Sequence, residues 1–301
     1  NRNNALASNI KIKYDNSSRT NAGIDVSNPN VTLSTARGVG IAIVNSNTTY
    51  TSGQTGNVGG TLTLNGKTGN LGSFTNVDRN IYTGKNGIGI YVEGSNVNLL
   101  SKTFTVETAD NGVGLWGTDN TNVAVGTNSA HNRTFQYNYN GAKDQNGFAM
   151  AFSSKNAGIT SLAQNDLDIK FSNKVDNAVT LAKDKANSNS GTSKGIAGIL
   201  VNTNDINDVV INRGNIEEET SKTHVRAYGA LVNKGTFINY GDIKLANSLN
   251  PDYAKNVKTA DMDKVNVGIR ANSTDGRIEN YADITIGTAD ATKAESRTNI
   301  G

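Results

Sequence analysis

The sequence predicts an all-β chain wound as a right-handed parallel β-helix, a solenoid of roughly a dozen turns carrying loop insertions. Three observations predict it. A short apolar motif recurs seven times along the 301 residues, a second motif follows it in fixed order, and the composition sets 2 prolines against 32 glycines and 46 asparagines.

The first motif is an apolar residue, a small residue, then two apolar positions spaced by one. Its copies are Val39-Gly40-Ile41-Ala42-Ile43, Ile88-Gly89-Ile90-Tyr91-Val92, Val113-Gly114-Leu115-Trp116-Gly117 and Phe148-Ala149-Met150-Ala151-Phe152. Ala197-Gly198-Ile199-Leu200-Val201, Tyr228-Gly229-Ala230-Leu231-Val232 and Val267-Gly268-Ile269-Arg270-Ala271 complete the set. Side chains two apart share one face of a strand, so each copy reads as a strand. Val39, Ile41 and Ile43 are expected to point inward, as are Ile88, Ile90, Val92 and their counterparts.

The small residues are separated by 25 to 49 residues. A spacing of 25 reads as one turn and 49 as two, which gives the dozen turns and a height of about 55 to 60 Å. Residues 60–64 then read as the strand of a turn hidden in the first long gap.

The second motif is Asn, any residue, usually a small one, Asp or Asn, then Ile. It appears as Asn165-Asp166-Leu167-Asp168-Ile169, Asn212-Arg213-Gly214-Asn215-Ile216, Asn239-Tyr240-Gly241-Asp242-Ile243 and Asn280-Tyr281-Ala282-Asp283-Ile284. Each follows its strand marker by 10 to 16 residues. These are corner residues: Asn and Gly tolerate the backbone angles a corner requires, and stacked asparagines can hydrogen-bond from rung to rung. Proline is scarce because each missing N–H would break a ladder bonded on both sides. A β-sandwich would show hairpin signals at closer intervals, and alternating βα units would need helices, of which only 174–186 has a faint trace. Residues 1–301 therefore read as one β-helical segment with loop insertions near 126–146, 174–194 and 246–264.

Several functions are excluded by composition. With a net charge of +3 and scattered basic residues, no cationic face is concentrated enough for nucleic acid. No apolar run approaches the ~18 to 20 residues of a spanning helix. The absence of cysteine removes disulfides, a thiol nucleophile and thiolate metal ligands. The chain opens on Asn-Arg-Asn-Asn without Met and reads as a piece of something longer.

Catalysis has thin support. A β-helical polysaccharide lyase or hydrolase would need clustered carboxylates with a cation, or a paired acid and base. Asp166 and Asp168 are the nearest pair, but they belong to the corner motif, and Asp261 and Asp263 fall in a loop. His131 and His224 are the two histidines, and no serine lies in a Gly-x-Ser-x-Gly or Gly-Asp-Ser-Gly nucleophile motif. No cofactor or metal site is predicted, and the chain is read as non-enzymatic.

Binding has better candidates. The outward column of the first motif reads Ala42, Tyr91, Trp116, Ala151, Leu200, Leu231, Arg270, and places Tyr91 and Trp116 on neighbouring rungs. Exposed aromatics beside Asn and Gly can stack on a sugar or anchor a protein, unless another segment covers them. The 126–146 interval interleaves Arg133, Phe135, Tyr137 and Tyr139 with amides, either as an adaptable recognition loop or as a further strand.

The repeats Asn86-Gly87-Ile88-Gly89-Ile90-Tyr91-Val92, Asn111-Gly112-Val113-Gly114-Leu115-Trp116 and Ile238-Asn239-Tyr240-Gly241-Asp242-Ile243 resemble the passenger repeats of large fusobacterial autotransporter adhesins. The resemblance implies a β-helical passenger at the bacterial cell surface, outer-membrane-anchored through a C-terminal translocator barrel not included here, or extracellular. It implies partners among host-cell glycans, receptor proteins or other bacteria. The alternatives kept open are an inert stalk that presents a distal head and the polysaccharide-cleaving enzyme.

Overall fold

The computed structural model describes residues 11–14, 21–25, 33–35, 38–44, 61–65, 80–99, 102–124, 133–141, 145–155, 160–173, 195–219, 227–246 and 266–287. All regular structure in them is strand. The strands form three parallel sheets, each visited once per coil, so the fold is a parallel β-helix.

Sheet I stacks β3 (Leu33–Thr35), β6 (Ile81–Thr83), β9 (Thr103–Thr108), β12 (Thr134–Tyr139), β15 (Asp168–Asn173), β18 (Ile216–Glu218), β20 (Ile243–Leu245) and β23 (Ile284–Ile286). Sheet II stacks β4 (Val39–Val44), β7 (Ile88–Glu93), β10 (Gly112–Thr118), β13 (Gly147–Ser153), β16 (Ile196–Asn202), the first half of β19 (Ala227–Asn239), and β21 (Val267–Ala271). Sheet III stacks β2 (Asn21–Asp25), β5 (Thr61–Asn65), β8 (Asn96–Leu99), β11 (Asn122–Val123), β14 (Leu162–Asn165), β17 (Val209–Asn212), the second half of β19, and β22 (Gly276–Asn280). One further strand, β1 (Lys11–Tyr14), pairs antiparallel with β2.

Seven copies of the first motif make seven neighbouring strands, with Val39 against Ile88, Ile88 against Val113, and so on to Tyr228 against Val267. The coil count is therefore seven among the described residues, not a dozen, and the stack stands about 30 Å tall at strand spacing. A 49-residue gap is one coil with long connections: Gly40 and Gly89 lie on adjacent rungs, as do Ala149 and Gly198. Residues 61–65 are a strand, but they supply sheet III of the first coil and not an extra turn.

The lumen is filled by Ile41, Ile90, Leu115, Met150, Ile199 and Ala230 from sheet II, by Phe104, Phe135, Ile169, Ile216 and Ile243 from sheet I, and by Val97, Val123 and Phe237 from sheet III. The first apolar residue of each motif copy does not join them, which corrects the expected inward set. Val39 is 43% exposed, and Ala197, Tyr228 and Val267 pack with Leu231, Phe148 and Leu200 in a separate cluster. Leu200 and Leu231 are in the outward column, so this cluster lies on the outer face of sheet II.

The small residue explains the shift. A Cβ on Gly114 would lie 2.5 Å from the Ala149 carbonyl oxygen and 3.0 Å from the rings of Phe135 and Tyr137. It therefore faces inward at the corner between sheets I and II, next to the inward Leu115. Two successive inward residues break the alternation and turn the preceding residue outside. Ala149 shows that one methyl group is accommodated on its own rung, where it is fully buried.

The second motif forms the corner from sheet III to sheet I. Asn165 Nδ2 donates to Asn212 Oδ1 at 2.8 Å, Asn212 to Asn239 at 2.8 Å, and Asn239 to Asn280 at 2.7 Å. The same amide nitrogens donate to the carbonyls of Leu167, Gly214, Gly241 and Ala282 at 2.6 to 2.9 Å, closing each turn. Asn165, Asn212 and Asn239 are buried, which an amide tolerates because its donors and acceptor are paired. In earlier coils the column is apolar: Asn165 pairs with Val123, and Val123 with Val97.

Coil six differs from the others. β19 runs through 13 residues without a corner, bending at Gly235, whose φ of 112° suits glycine.

Candidate binding surfaces

The outward column of sheet II has the predicted register: Ala42, Tyr91, Trp116, Ala151, Leu200, Leu231 and Arg270 stand on successive rungs. It divides into two parts. Leu231 is buried in the outer apolar cluster and Leu200 packs against it. Tyr91 and Trp116 are half-buried and sit in a polar setting.

The Trp116 indole Nε1 donates to Ser153 Oγ at 2.8 Å, and Ser153 Oγ lies 3.3 Å from Thr118 Oγ1. The Tyr91 hydroxyl donates to Glu93 Oε2 at 3.3 Å. Glu93 is ion-paired with Lys155, whose ammonium stands 5.7 Å from the Tyr91 ring centroid. Both aromatics are thus oriented through their polar ends, leaving part of each ring at the surface. Below them Asp119 is buried at a positive φ of 60° and accepts the Lys155 backbone N–H at 2.9 Å. Burial pushes its carboxyl above the usual carboxylate range, against that hydrogen bond.

The 126–146 interval is not a recognition loop over its aromatic stretch. Residues 134–139 are β12, paired with β9 and β15. Phe135, Tyr137 and Tyr139 are at most 1% exposed and belong to the lumen. The Tyr137 hydroxyl donates to the Gly112 carbonyl at 3.1 Å and shares a 2.7 Å bond with Thr108 Oγ1. Burial raises its pKa far above that of an ordinary phenol. Arg133 donates to the Leu99 carbonyl, a contact between coils. Of the six candidates, Tyr91 and Trp116 remain at a surface together, while Phe135, Tyr137 and Tyr139 are core residues.

The carboxylate pair is divided in the same way. Asp166 accepts from Arg213 at 3.4 Å, and Asp168 accepts the Asn215 backbone N–H at 2.8 Å on the next rung. Both hold the corner. Asp261, Asp263, His131, His224 and the 174–194 insertion lie outside the described residues, as does the 246–264 insertion apart from Ala246. Among the described residues no three of His, Cys, Asp and Glu gather as a metal ion would require.

A further exposed group lies where the second motif reads "any residue". Asp166, Arg213, Tyr240 and Tyr281 follow the four ladder asparagines, and their backbone N–H groups bond rung to rung. The Tyr240 and Tyr281 rings are stacked, with centroids 5.1 Å apart and planes at 12°, and are 50% and 63% exposed. Arg213 lies over Tyr240 at 6.0 Å and is held by Gln164 at 2.8 Å. The signal was present in the sequence: an outward corner position is free to vary, so two consecutive tyrosines there are not demanded by the turn.

Sheet I carries a half-buried acid. Glu218 pairs with Phe171 in the column that runs through Ile81, Val106 and Tyr137. It accepts from the Ala246 N–H at 2.9 Å and from Asn266 Nδ2 at 3.2 Å. Burial pushes its pKa up to about 7, against the lowering effect of the Ala246 bond.

Comparison with protein-family models, with curated proteins and with solved structures found no match to this chain. The described coils carry part-exposed aromatic side chains at two separate places on the exterior, Tyr91 with Trp116 and Tyr240 with Tyr281.

Proposed function

We propose that this chain is a non-enzymatic adhesion segment of a bacterial surface protein, binding host-cell glycans or receptors, or other bacteria, through the outside of its β-helix. One observation carries the reading: Tyr91 and Trp116 are register partners on the outer face of sheet II, fixed by Glu93, Lys155 and Ser153 with their rings part-exposed. Aromatics held rigidly lose little rotamer entropy on binding, which makes them efficient anchors. The likeness of the repeats to autotransporter passengers supports the setting.

The test is attachment of beads coated with the chain to epithelial cells and to partner bacteria. Trp116→Ala is expected to lower attachment about tenfold, equivalent to one lost anchor of ~1.4 kcal/mol. Attachment that is unchanged in both Tyr91→Ala and Trp116→Ala would remove this face from the reading. A second reading, an inert stalk, draws on the continuous asparagine ladder and lumen. It is the outcome if the wild-type chain attaches to nothing.

A further inference from the structure

The outer face of sheet II holds a second apolar column beside Tyr91 and Trp116, and the two columns together select what the face can bind. Gly89 and Ile90 of β7 both face inward, as do Gly114 and Leu115 of β10 and Ala149 and Met150 of β13. The residues on either side of each inward pair therefore both turn outward. One outward column is Ile88, Val113 and Phe148, and the other is Tyr91, Trp116 and Ala151, each in register on successive rungs. These rungs are in the middle of the stack, with β4 on one side and β16 and then β19 on the other. Ile88, Tyr91, Trp116 and Phe148 are half-buried, while Val113 and Ala151 are buried.

The polar groups beside the rings are already committed to one another. Trp116 Nε1 donates to Ser153 Oγ, which also contacts Thr118, the Tyr91 hydroxyl donates to Glu93, and Glu93 is paired with Lys155. On the opposite flank Ile88, Val113 and Phe148 carry no side-chain donor or acceptor. A pyranose stacked on either ring would lay part of its hydroxyl rim against those carbons, and a hydroxyl desolvated without a partner is costly. An apolar side chain gains from the same contact by leaving water. The mutual pairing of Glu93 and Lys155 also neutralises the rim, so it concentrates no field for a polyanion such as an acidic glycan.

Size narrows the partner further. Two strand spacings by three residues make an apolar centre of about 10 by 10 Å. That is about an eighth of the ~800 Å² per partner in a standard-size interface, so it suits one projecting element and not two copies of this chain face to face.

We propose that the paired columns Ile88–Val113–Phe148 and Tyr91–Trp116–Ala151 seat the apolar side chains of one projecting loop or helix of a protein partner. The inference rests on the adhesive reading for the use of this face and adds what the face takes, polypeptide and not glycan.

The experiment uses beads coated with the full chain and the target to which they attach, epithelial cells or partner bacteria. Target cells are treated beforehand with trypsin, or with mild periodate, which opens the vicinal diols of glycans and spares polypeptide. Attachment is expected to be lost after trypsin and kept after periodate. Ile88→Ser and Phe148→Ser are each expected to lower attachment about tenfold, as Trp116→Ala does. Circular dichroism checks both variants; should Phe148→Ser lose structure, Ile88→Ser decides. Loss of attachment after periodate, or attachment that survives trypsin, overturns the protein partner and leaves the adhesive reading standing. Unchanged attachment in folded Ile88→Ser, with loss in Trp116→Ala, overturns the two-column seat in the same way. A chain that dimerises in sedimentation, with the dimer lost in Trp116→Ala, gives the face to a second copy and overturns the inference. Wild-type beads that attach to neither target remove the adhesive reading and this inference with it.

Discussion

Asn212 uses one amide group for two tasks: its Nδ2 donates at 2.8 Å to Asn239 Oδ1 on the next coil and at 2.7 Å to the Gly214 carbonyl of its own turn. The same atom pattern repeats at Asn165 and Asn239. One residue type thus sets the corner and ties each coil to its neighbour.

Replacing Asn239 by Ala should be costly. It leaves the Asn212 amide hydrogen, Asn280 Oδ1 and the Gly241 carbonyl without their partner. Loss of buried partners costs about 1–3 kcal/mol per orphaned group, so about 2–4 kcal/mol is expected after relaxation. Urea unfolding followed by circular dichroism measures it. Converting Asn165, Asn212 and Asn239 together to Val, the residue at Val123 in the same column, should cost less than the sum of the three single changes. Strict additivity would show that the ladder is three separate turns.

Glu218 is expected to make the stability of the stack depend on pH. Its folded pKa of about 7 exceeds the ordinary glutamate value of 4.5, so the folded state holds its proton more tightly than the unfolded state. The stability it contributes is fully present below pH 4.5 and is lost as pH rises through 7. The loss is on the order of 1–3 kcal/mol, less if water reaches the carboxylate. Thermal unfolding of wild type and Glu218→Gln at pH 4.5, 6 and 8 should give curves whose difference grows with pH, the Gln protein being favoured at pH 8. Parallel curves would mean that Glu218 is charged at neutral pH with no penalty.

Tyr137→Phe separates core from surface. It strips the partner from the Gly112 carbonyl and Thr108 Oγ1 and should cost about 1–2 kcal/mol in denaturant unfolding, with cell attachment unaltered. Trp116→Ala should show the reverse pattern, a small stability change and reduced attachment. A Tyr137→Phe chain that is stable but no longer attaches would return the 134–139 strand to the binding surface.

Gly114→Val tests the corner between sheets I and II. The added carbons meet the Ala149 carbonyl and the Phe135 and Tyr137 rings, and overpacking of about 1–3 kcal/mol is expected. Ala149→Gly, on the neighbouring rung, should cost less, about 1 kcal/mol.

Much of this was legible in the sequence because a repeat in register leaves its register in the text. The seven markers pair as their order implied, and the Asn-x-small-Asp/Asn-Ile motif is the corner with its ladder. The coil count was not legible, since the lengths of connections such as 45–60 and 174–194 carry no information on how many rungs they span. Period-two spacing places Val39 and Tyr228 inward because it assumes an unbroken strand, and the inward glycine breaks it. Phe135, Tyr137 and Tyr139 alternate with Gln136 and Asn138 in strand fashion, but amides beside tyrosines also suit a loop, and only their burial decides. Tyr240 and Tyr281 stand at a motif position that the turn leaves unconstrained, so the pattern assigns them no role.

The asparagine column also has a sense. Asn165, Asn212 and Asn239 each donate from the earlier coil to the later one, so their side-chain dipoles add head to tail. Growth of the pile therefore has a direction, with each new winding accepting from the one already laid down.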